Sequence, residues 1–344
     1  MKWVKGELVD SLADGKADPR RALSDASARP PFDRLTWFQR VAKHWQGSGQ
    51  TIVARAWNEG ATCWVFLMRR NARQAVSLSN WYSFAFRPVF NGATDESLLV
   101  AIAKRLRQAR SVPPCITLAP VPRADGSSDI TLKSFRRAGW IAMRHQSSTS
   151  WVAHVAGQTF DDYWAARPSQ LQNTYKRKMK KTTIVTEIKT VFDEADWAGY
   201  ESVYGESWKP EEGAAQFLRD MAIEKSALGA YRLGLAYHEG RVIAAQFWIV
   251  SQGVAYIHKL AYREDAKEFS PGTILSVGLF RYVIDEDKVS LIDFGTGNDK
   301  YKADWMDESS PLDTIRLFKT NSIVGLASAL HARISALVHK APVD

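Results

Sequence analysis

The chain has 344 residues, 45% hydrophobic and 24% charged, enough for one large or two medium domains; this excludes a globally disordered polypeptide. Its 46 basic and 37 acidic residues leave a net charge of +9, which favours anionic partners such as phosphates, acidic lipid, an acidic protein or RNA without choosing among them. Cys63 and Cys115 sit in apolar, strand-like contexts without CxxC spacing, and the seven His show no HExxH pattern, so neither a disulfide nor a metal site is expected. No window approaches the roughly 18 apolar residues that span a bilayer. Residues 1–7 lack the apolar core of a secretory signal. The expected location is the cytoplasm, or the inner face of the cytoplasmic membrane. Thirteen Trp residues fit either an aromatic core or a lipid-handling surface.

Residues 1–30 read as a mobile lead-in, rich in Asp, Ala, Ser, Arg and Pro from position 10 onwards. A helix is expected over 35–45. A β-hairpin follows, with strands 51–57 and 61–68 joined by Asn58, Glu59 and Gly60. Leu98, Leu99, Ile102 and Leu106 recur at helical spacing after a Thr94/Asp95 cap, predicting a helix over 95–109. A strand at 115–121, a helix at 130–138 stopped by Gly139, and a strand at 140–155 complete the first half. Segment 167–183 holds Arg167, Lys176, Arg177, Lys178, Lys180 and Lys181 and no acidic residue. It reads as a solvated helix face or an anion-binding strip.

The second half repeats the plan. Strands 231–237 and 242–250 form a hairpin around His238, Glu239 and Gly240, matching Asn58, Glu59 and Gly60 of the first. A strand at 254–262, a helix at 272–284 and a strand at 289–294 follow. Internal duplication is the economical reading, dividing the chain into a lead-in (1–30), a first half (31–150) and a second half (151–344). Ile323, Leu326, Leu330, Ile334 and Leu337 form an apolar stripe in the tail, with His331, Arg333, His339 and Lys340 nearby. Most such helices close a core, and a membrane-facing role is the alternative.

Segment 293–305, DFGTGNDKYKADW, follows a buried strand with a mixture of carboxylate, glycine, phenol, ammonium and indole. Loops at strand ends carry chemistry more often than the strands do. Ser270, Pro271, Gly272 and Thr273 open the helix before it. That is either an ordinary Ser/Pro helix start or a phosphate site with free N–H groups, where Arg263 and Lys267 add charge.

In this order, the elements resemble the GNAT acyltransferase fold. Within it the chain is similar to the CelD-like branch, whose relatives include Fem-type transferases with two tandem GNAT-like halves. The residues carrying the likeness are Pro31, Phe32, Trp37, His258, Lys259, Ser270, Pro271, Gly272 and the segment from Asp293 to Trp305. The resemblance implies an α/β (α+β) chain with two tandem GNAT-like halves, each a mixed, mostly antiparallel sheet flanked by helices. It implies an acyl thioester lying where strand 254–262 parts from strand 289–294. Pantetheine would lie along Lys259 and Leu260, with its pyrophosphate at Ser270, Gly272 and Thr273. His258 is the first candidate for general base. Asp293 orients the acceptor or serves as base, Tyr301 is the thiolate acid or a structural phenol, Lys302 binds phosphate or an acceptor carboxylate or pairs with Asp293, and Trp305 binds substrate or covers the core. No permanent cofactor or metal is implied. Acyl-CoA or an acyl-carrier protein is the cosubstrate, and a lipophilic amine in a cleft between the halves is the acceptor. Bacterial ceramide synthases resemble this branch, which makes a sphingoid long-chain base the first choice. An exopolysaccharide or envelope-glycan acetyltransferase, a Fem-type aminoacyl transferase and a non-catalytic lipid- or protein-binding module are the alternatives. No long heptad arm is evident, which weighs against nucleic acid.

Overall fold

The computed structural model describes residues 3–45 and 49–338. Its elements, in chain order, are β1 (Lys5–Val9), α1 (Asp14–Ala17), α2 (Leu35–Lys43), β2 (Gln50–Trp57), β3 (Ala61–Arg69), β4 (Gln74–Ser77), β5 (Val89–Gly92), α3 (Glu96–Gln108), β6 (Cys115–Pro122), α4 (Ser127–Arg137) and β7 (Trp140–His154). Then come α5 (Phe160–Ala165), α6 (Ser169–Lys181), β8 (Val185–Lys189), α7 (Glu194–Gly205), α8 (Ala215–Ala227), β9 (Tyr231–His238), β10 (Arg241–Ser251), β11 (Val254–Tyr262), α9 (Pro271–Asp285), β12 (Leu291–Thr296), β13 (Glu308–Lys319) and α10 (Ile323–Val338).

Two compact units emerge. The first comprises 1–149 and 310–344, the second 150–309. The sequence reading cuts once, near 150, and keeps 151–344 together. The structure differs because β13 returns to pair antiparallel with β6, from Leu312 opposite Pro122 to Phe318 opposite Cys115. Nor is 1–30 a loose lead-in. β1 pairs with β2, Lys5 opposite Trp57 through Val9 opposite Val53. Ala17 and Leu23 are fully buried, and the Trp64 indole donates to Ala17 O at 2.9 Å.

In the first unit the strand order is β1-β2-β3-β4-β6-β13, with β5 on β3. β3 is buried along almost its whole length, as its unbroken run of apolar residues requires of a central strand. α3 forms where expected. The Asp95 carboxylate caps it by accepting Ser97 N–H at 2.8 Å, and Leu98, Leu99, Ile102 and Leu106 face inward.

α10 departs from expectation. Its packed face is made of small residues. Ala329 and Ala332 sit against Met143 and Phe318. A Cβ at Gly325 would lie 2.3 Å from Lys319 O, so only glycine permits that approach. The large stripe of Ile323, Leu326, Leu330 and Ile334 points to solvent instead. The side chain of Leu337 and residues His339 and Lys340 lie outside the described residues.

In the second unit the order is β7-β12-β11-β10-β9-β8. β10 shows how its two faces are covered. Trp248 meets Phe280 of α9 edge-on, with ring centroids 5.2 Å apart, while its neighbour Phe247 meets Trp197 of α7 at 5.6 Å. Successive residues of a strand point to opposite faces, so α9 covers one side of the sheet and α7 the other. Ile274, Leu275, Leu279, Phe280 and Val283 of α9 anchor the first of these cores. Gly234 in β9 admits the helix, since a Cβ there would stand 2.7 Å from Leu279 Cδ1. Among the described residues no helix is long and apolar enough to cross a membrane.

Candidate active site

β11 and β12 run parallel but pair over only three residues, Val254 with Leu291, Ala255 with Ile292 and Tyr256 with Asp293. β11 continues to Tyr262 along β10, and β12 continues to Thr296 along β7, with a register shift between Asp293 and Thr296. The cause lies in the sequence. Asp293 Oδ1 accepts the N–H of Gly295 at 2.8 Å, and Gly295 has a positive φ of 68°. This Asx-type turn bends β12 away from its neighbour. Segment 257–262 is left with an edge that β12 does not cover.

On the opposite edge of β11, Lys259 faces Phe247 and Ile257 faces Trp248, so the register shifts by one residue at His258. A bulge re-aims the side chains around it. Ile257 and Leu260 pack into the α9-side core. His258 lies against the Phe247 ring (centroids 5.8 Å apart), and Lys259 reaches Glu212 at 2.7 Å and the Tyr204 ring, so both face α7. Simple alternation would have sent Lys259 to the α9 side.

The start of α9 comes down on the end of β11, where a Cβ at Gly272 would lie 3.2 Å from Tyr262 Cδ1. Gln246 holds it there. Its amide donates to Gly272 O (3.1 Å) and Ser276 Oγ (2.8 Å) while accepting from the Trp248 indole (3.0 Å). Ser270 adopts a left-handed conformation, no side chain caps the helix, and its first turn has no acid. α3 of the first unit is the contrast, with Asp95 capping it and Glu96 in its first turn. A carboxylate already fills that positive helix end, whereas α9 has no acid at its cap or in its first turn. Arg263 does not serve there, being buried and bonded to Val242 O and Ser202 Oγ, each at 2.7 Å, and to Glu206.

The 293–305 segment divides in role. Lys302 is buried and donates to Thr296 O (2.7 Å) and Phe294 O (3.3 Å), pinning the bend after β12. Burial lowers its pKa, opposed by Asp299 and Asp293. Trp305 is buried in the core, stacked on Phe280 at 4.9 Å, and its carbonyl accepts the Tyr163 hydroxyl at 2.6 Å. Tyr301 is half exposed and leans edge-on against Phe294. Desolvation, then the Asp299 carboxylate, pushes its phenol above the ordinary range, so it is protonated at neutral pH.

The sequence reading missed a cluster on α7 and the loop after it. Tyr204, Lys209 and Glu212 gather beside Lys259. Burial and the neighbouring Lys259 charge bring Lys209 down to about 8, with Lys302 adding and Glu212 and Asp299 opposing. Burial and Glu212 push Tyr204 up to about 12. Next to them is a cavity of about 360 Å³ lined by Trp197, Tyr200, Tyr204, Leu218, Lys209 and Glu212, among others. The signal was available: Asp193 is an N-cap residue, and Trp197, Tyr200 and Tyr204 follow at helical spacing. Among the described residues no group of three or more His, Cys, Asp or Glu is placed to hold a metal.

The first unit has the same three-residue parallel pairing, Gln74 with Cys115 through Val76 with Thr117 of β4 and β6. There the gap is bridged. Ser77 and Ser79 hydroxyls both donate to Ala119 O at 2.7 Å, and Phe86 N–H donates to Pro120 O at 2.6 Å.

Residues 169–303 match the acetyltransferase (GNAT) domain family. No curated protein matches the chain. Among solved structures, FemX is similar with a TM-score of 0.59 at 10% identity, covering 90% of this chain and 96% of its own. A tandem GNAT protein from the clavulanic acid biosynthesis pathway gives 0.52 at 11%, covering 91% and 98%. The C-terminal domain of a putative lysylphosphatidylglycerol synthetase from Agrobacterium fabrum gives 0.51 at 13%, covering 81% and 85%. At such identities the likeness is one of fold. The chain thus has a two-half GNAT fold, and its residues 169–303, from α6 into the segment after β12, match the acetyltransferase (GNAT) domain.

Proposed function

We propose that the protein is an N-acyltransferase that moves an acyl group from acyl-CoA, or an acyl-carrier protein, to the amine of a long-chain sphingoid base. The carrying observation is the parting of β11 from β12 after Tyr256 and Asp293, beside the bulge at His258. A thioester lying in the split pairs its pantetheine amides with the backbone of 257–262, including Lys259 and Leu260. Its pyrophosphate meets the helix start at Ser270, Gly272 and Thr273, which no side-chain carboxylate fills. The acceptor nitrogen attacks the thioester carbonyl carbon, a new C–N bond forms and the C–S bond breaks. His258 takes the proton from nitrogen, with Asp293 orienting the acceptor. Backbone N–H at the bulge stabilises the oxyanion. The protonated Tyr301 phenol supplies a proton to the leaving thiolate. Lys302 and Trp305 act on substrate indirectly, by fixing the bend and wall behind the slot.

The aromatic cavity between α7 and α8 supports an amphipathic amine. Trp197, Tyr200 and Leu218 suit an apolar body, and Glu211 suits an ammonium. The test is mass spectrometry of reactions with sphinganine-like amines and acyl donors of several chain lengths on both carriers. The proposal expects an amide product. Absence of any amide product from folded protein, across all donors, overturns it.

A second reading, Fem-type aminoacyl transfer from tRNA, is favoured by α6, whose Lys176, Arg177, Lys180 and Lys181 are all exposed with no acid on the helix. It expects transfer from aminoacyl-tRNA and tRNA affinity that falls steeply with salt.

A further inference from the structure

The outer face of α10 is apolar and open. Ile323 is 87%, Leu326 46%, Leu330 61% and Ile334 52% exposed. At 3.6 residues per turn these four share an arc of roughly 80°, opposite the inward-facing Gly325, Ala329 and Ala332. The helix therefore packs with its small residues and turns its large ones outward, the reverse of a helix that closes a core.

Charge flanks the ridge. Arg333 and His331 are exposed on either side of it, and the helix contains no Asp or Glu. On the His331 side, Ser328 forms part of the wall of a cavity of about 440 Å³ that also takes in Arg73, Gln74, Thr117 and Arg316. Among the described residues no carboxylate lines that cavity. Arg70 is exposed in the turn beside it.

We propose that α10 lies in the surface of an anionic phospholipid bilayer, its Ile and Leu ridge at the acyl boundary and a lipid headgroup phosphate between Arg73 and Arg316. An apolar ridge with Arg333 on one flank and Arg73 and Arg316 beyond the other is the pattern of an interfacial helix. Charge separates this occupant from a second copy of the chain. Two such helices face to face bring the Arg333 of each into an interface to which neither helix contributes a carboxylate, whereas a bilayer of acidic lipid meets Arg333, Arg73 and Arg316 with opposite charge.

The test is cosedimentation with vesicles, read alongside light scattering, and it does not depend on acyl transfer. The full chain sediments with phosphatidylcholine vesicles containing phosphatidylglycerol, and less with phosphatidylcholine alone. The double variant L330E/I334E loses roughly tenfold or more in vesicle affinity while its unfolding midpoint changes little, because both side chains are more than half exposed. The variant R73Q/R316Q loses the preference for phosphatidylglycerol. Failure of the full chain to bind either vesicle, or vesicle binding indifferent to L330E/I334E, overturns the proposal. So does a dimer in solution that L330E/I334E dissociates, which assigns the ridge to a second copy.

Discussion

Replacing Glu212 with glutamine probes the cluster beside the bulge. Lys259 Nζ lies 2.7 Å from Glu212 Oε2, and the two side chains are 15% and 11% exposed. Breaking a fully buried pair by removing one partner costs roughly 3–5 kcal/mol, and an exposed pair is worth about 0–1 kcal/mol. This nearly buried pair sits between the two, so E212Q is expected to destabilise by about 2–3 kcal/mol at neutral pH. Denaturant unfolding monitored by Trp fluorescence reads this directly. The pH dependence has a definite sign. Burial already lowers the Lys259 pKa and Glu212 opposes that shift, so the variant lowers it further. Between the depressed native pKa and the unfolded value near 10.4, the unfolded chain binds the extra proton, and stability rises with pH. The E212Q deficit is therefore complete below the variant's native Lys259 pKa, shrinks as pH climbs from there to the parent's native pKa, and is constant above it. The double variant E212L/K259M removes both charges and recovers most of the loss. A deficit below about 0.5 kcal/mol, or a double variant as unstable as E212Q, refutes the reasoning.

Three further outcomes are expected. H258A lowers kcat by about 10²- to 10⁴-fold in protein shown by unfolding to remain folded at the assay temperature, as loss of a general base does; rates within a factor of a few of the parent exclude that role. T273E places a carboxylate in the first turn of α9, so it stabilises the fold by about 0.3–1 kcal/mol while raising KM for acyl-CoA at least roughly tenfold; unchanged KM argues against phosphate at that helix start. K302M leaves Thr296 O and Phe294 O without their donor and costs about 1–3 kcal/mol for each carbonyl left buried, measured by denaturant unfolding.

Local patterns made much of the second unit legible in the sequence. The hairpin over Tyr231–His238 and Arg241–Ser251, the alternating strand before Ser270 and the Pro271 helix start all form where periodicity and capping place them. Features that depend on partners distant in sequence were not legible. The bulge at His258 exists only in register with Phe247 and Trp248, and it sends Lys259 to the face that plain alternation denies it. Lys302 and Trp305 belong to a motif rich in chemistry, yet one holds backbone carbonyls and the other stacks in the core. Strand β13 carries Pro311 and four charged residues, Glu308, Asp313, Arg316 and Lys319, within its length, which hides it from an apolar-run search. Asp313 is nonetheless fully buried, because Arg123 and Ser128 bind its carboxylate at 2.6 Å. The α10 stripe misled in the opposite direction. Helical periodicity identifies an apolar face, and the close approach of Gly325 to Lys319 decides which face turns inward.

Hydrogen exchange by mass spectrometry with and without a non-hydrolysable acyl-CoA thioether tests the slot most directly. Binding in the split protects amides in 257–262 and 272–274 of the second unit and leaves 74–77 and 115–122 of the first unchanged. Protection confined to the first-unit strands, or saturating binding with no protection along 257–262, contradicts the account.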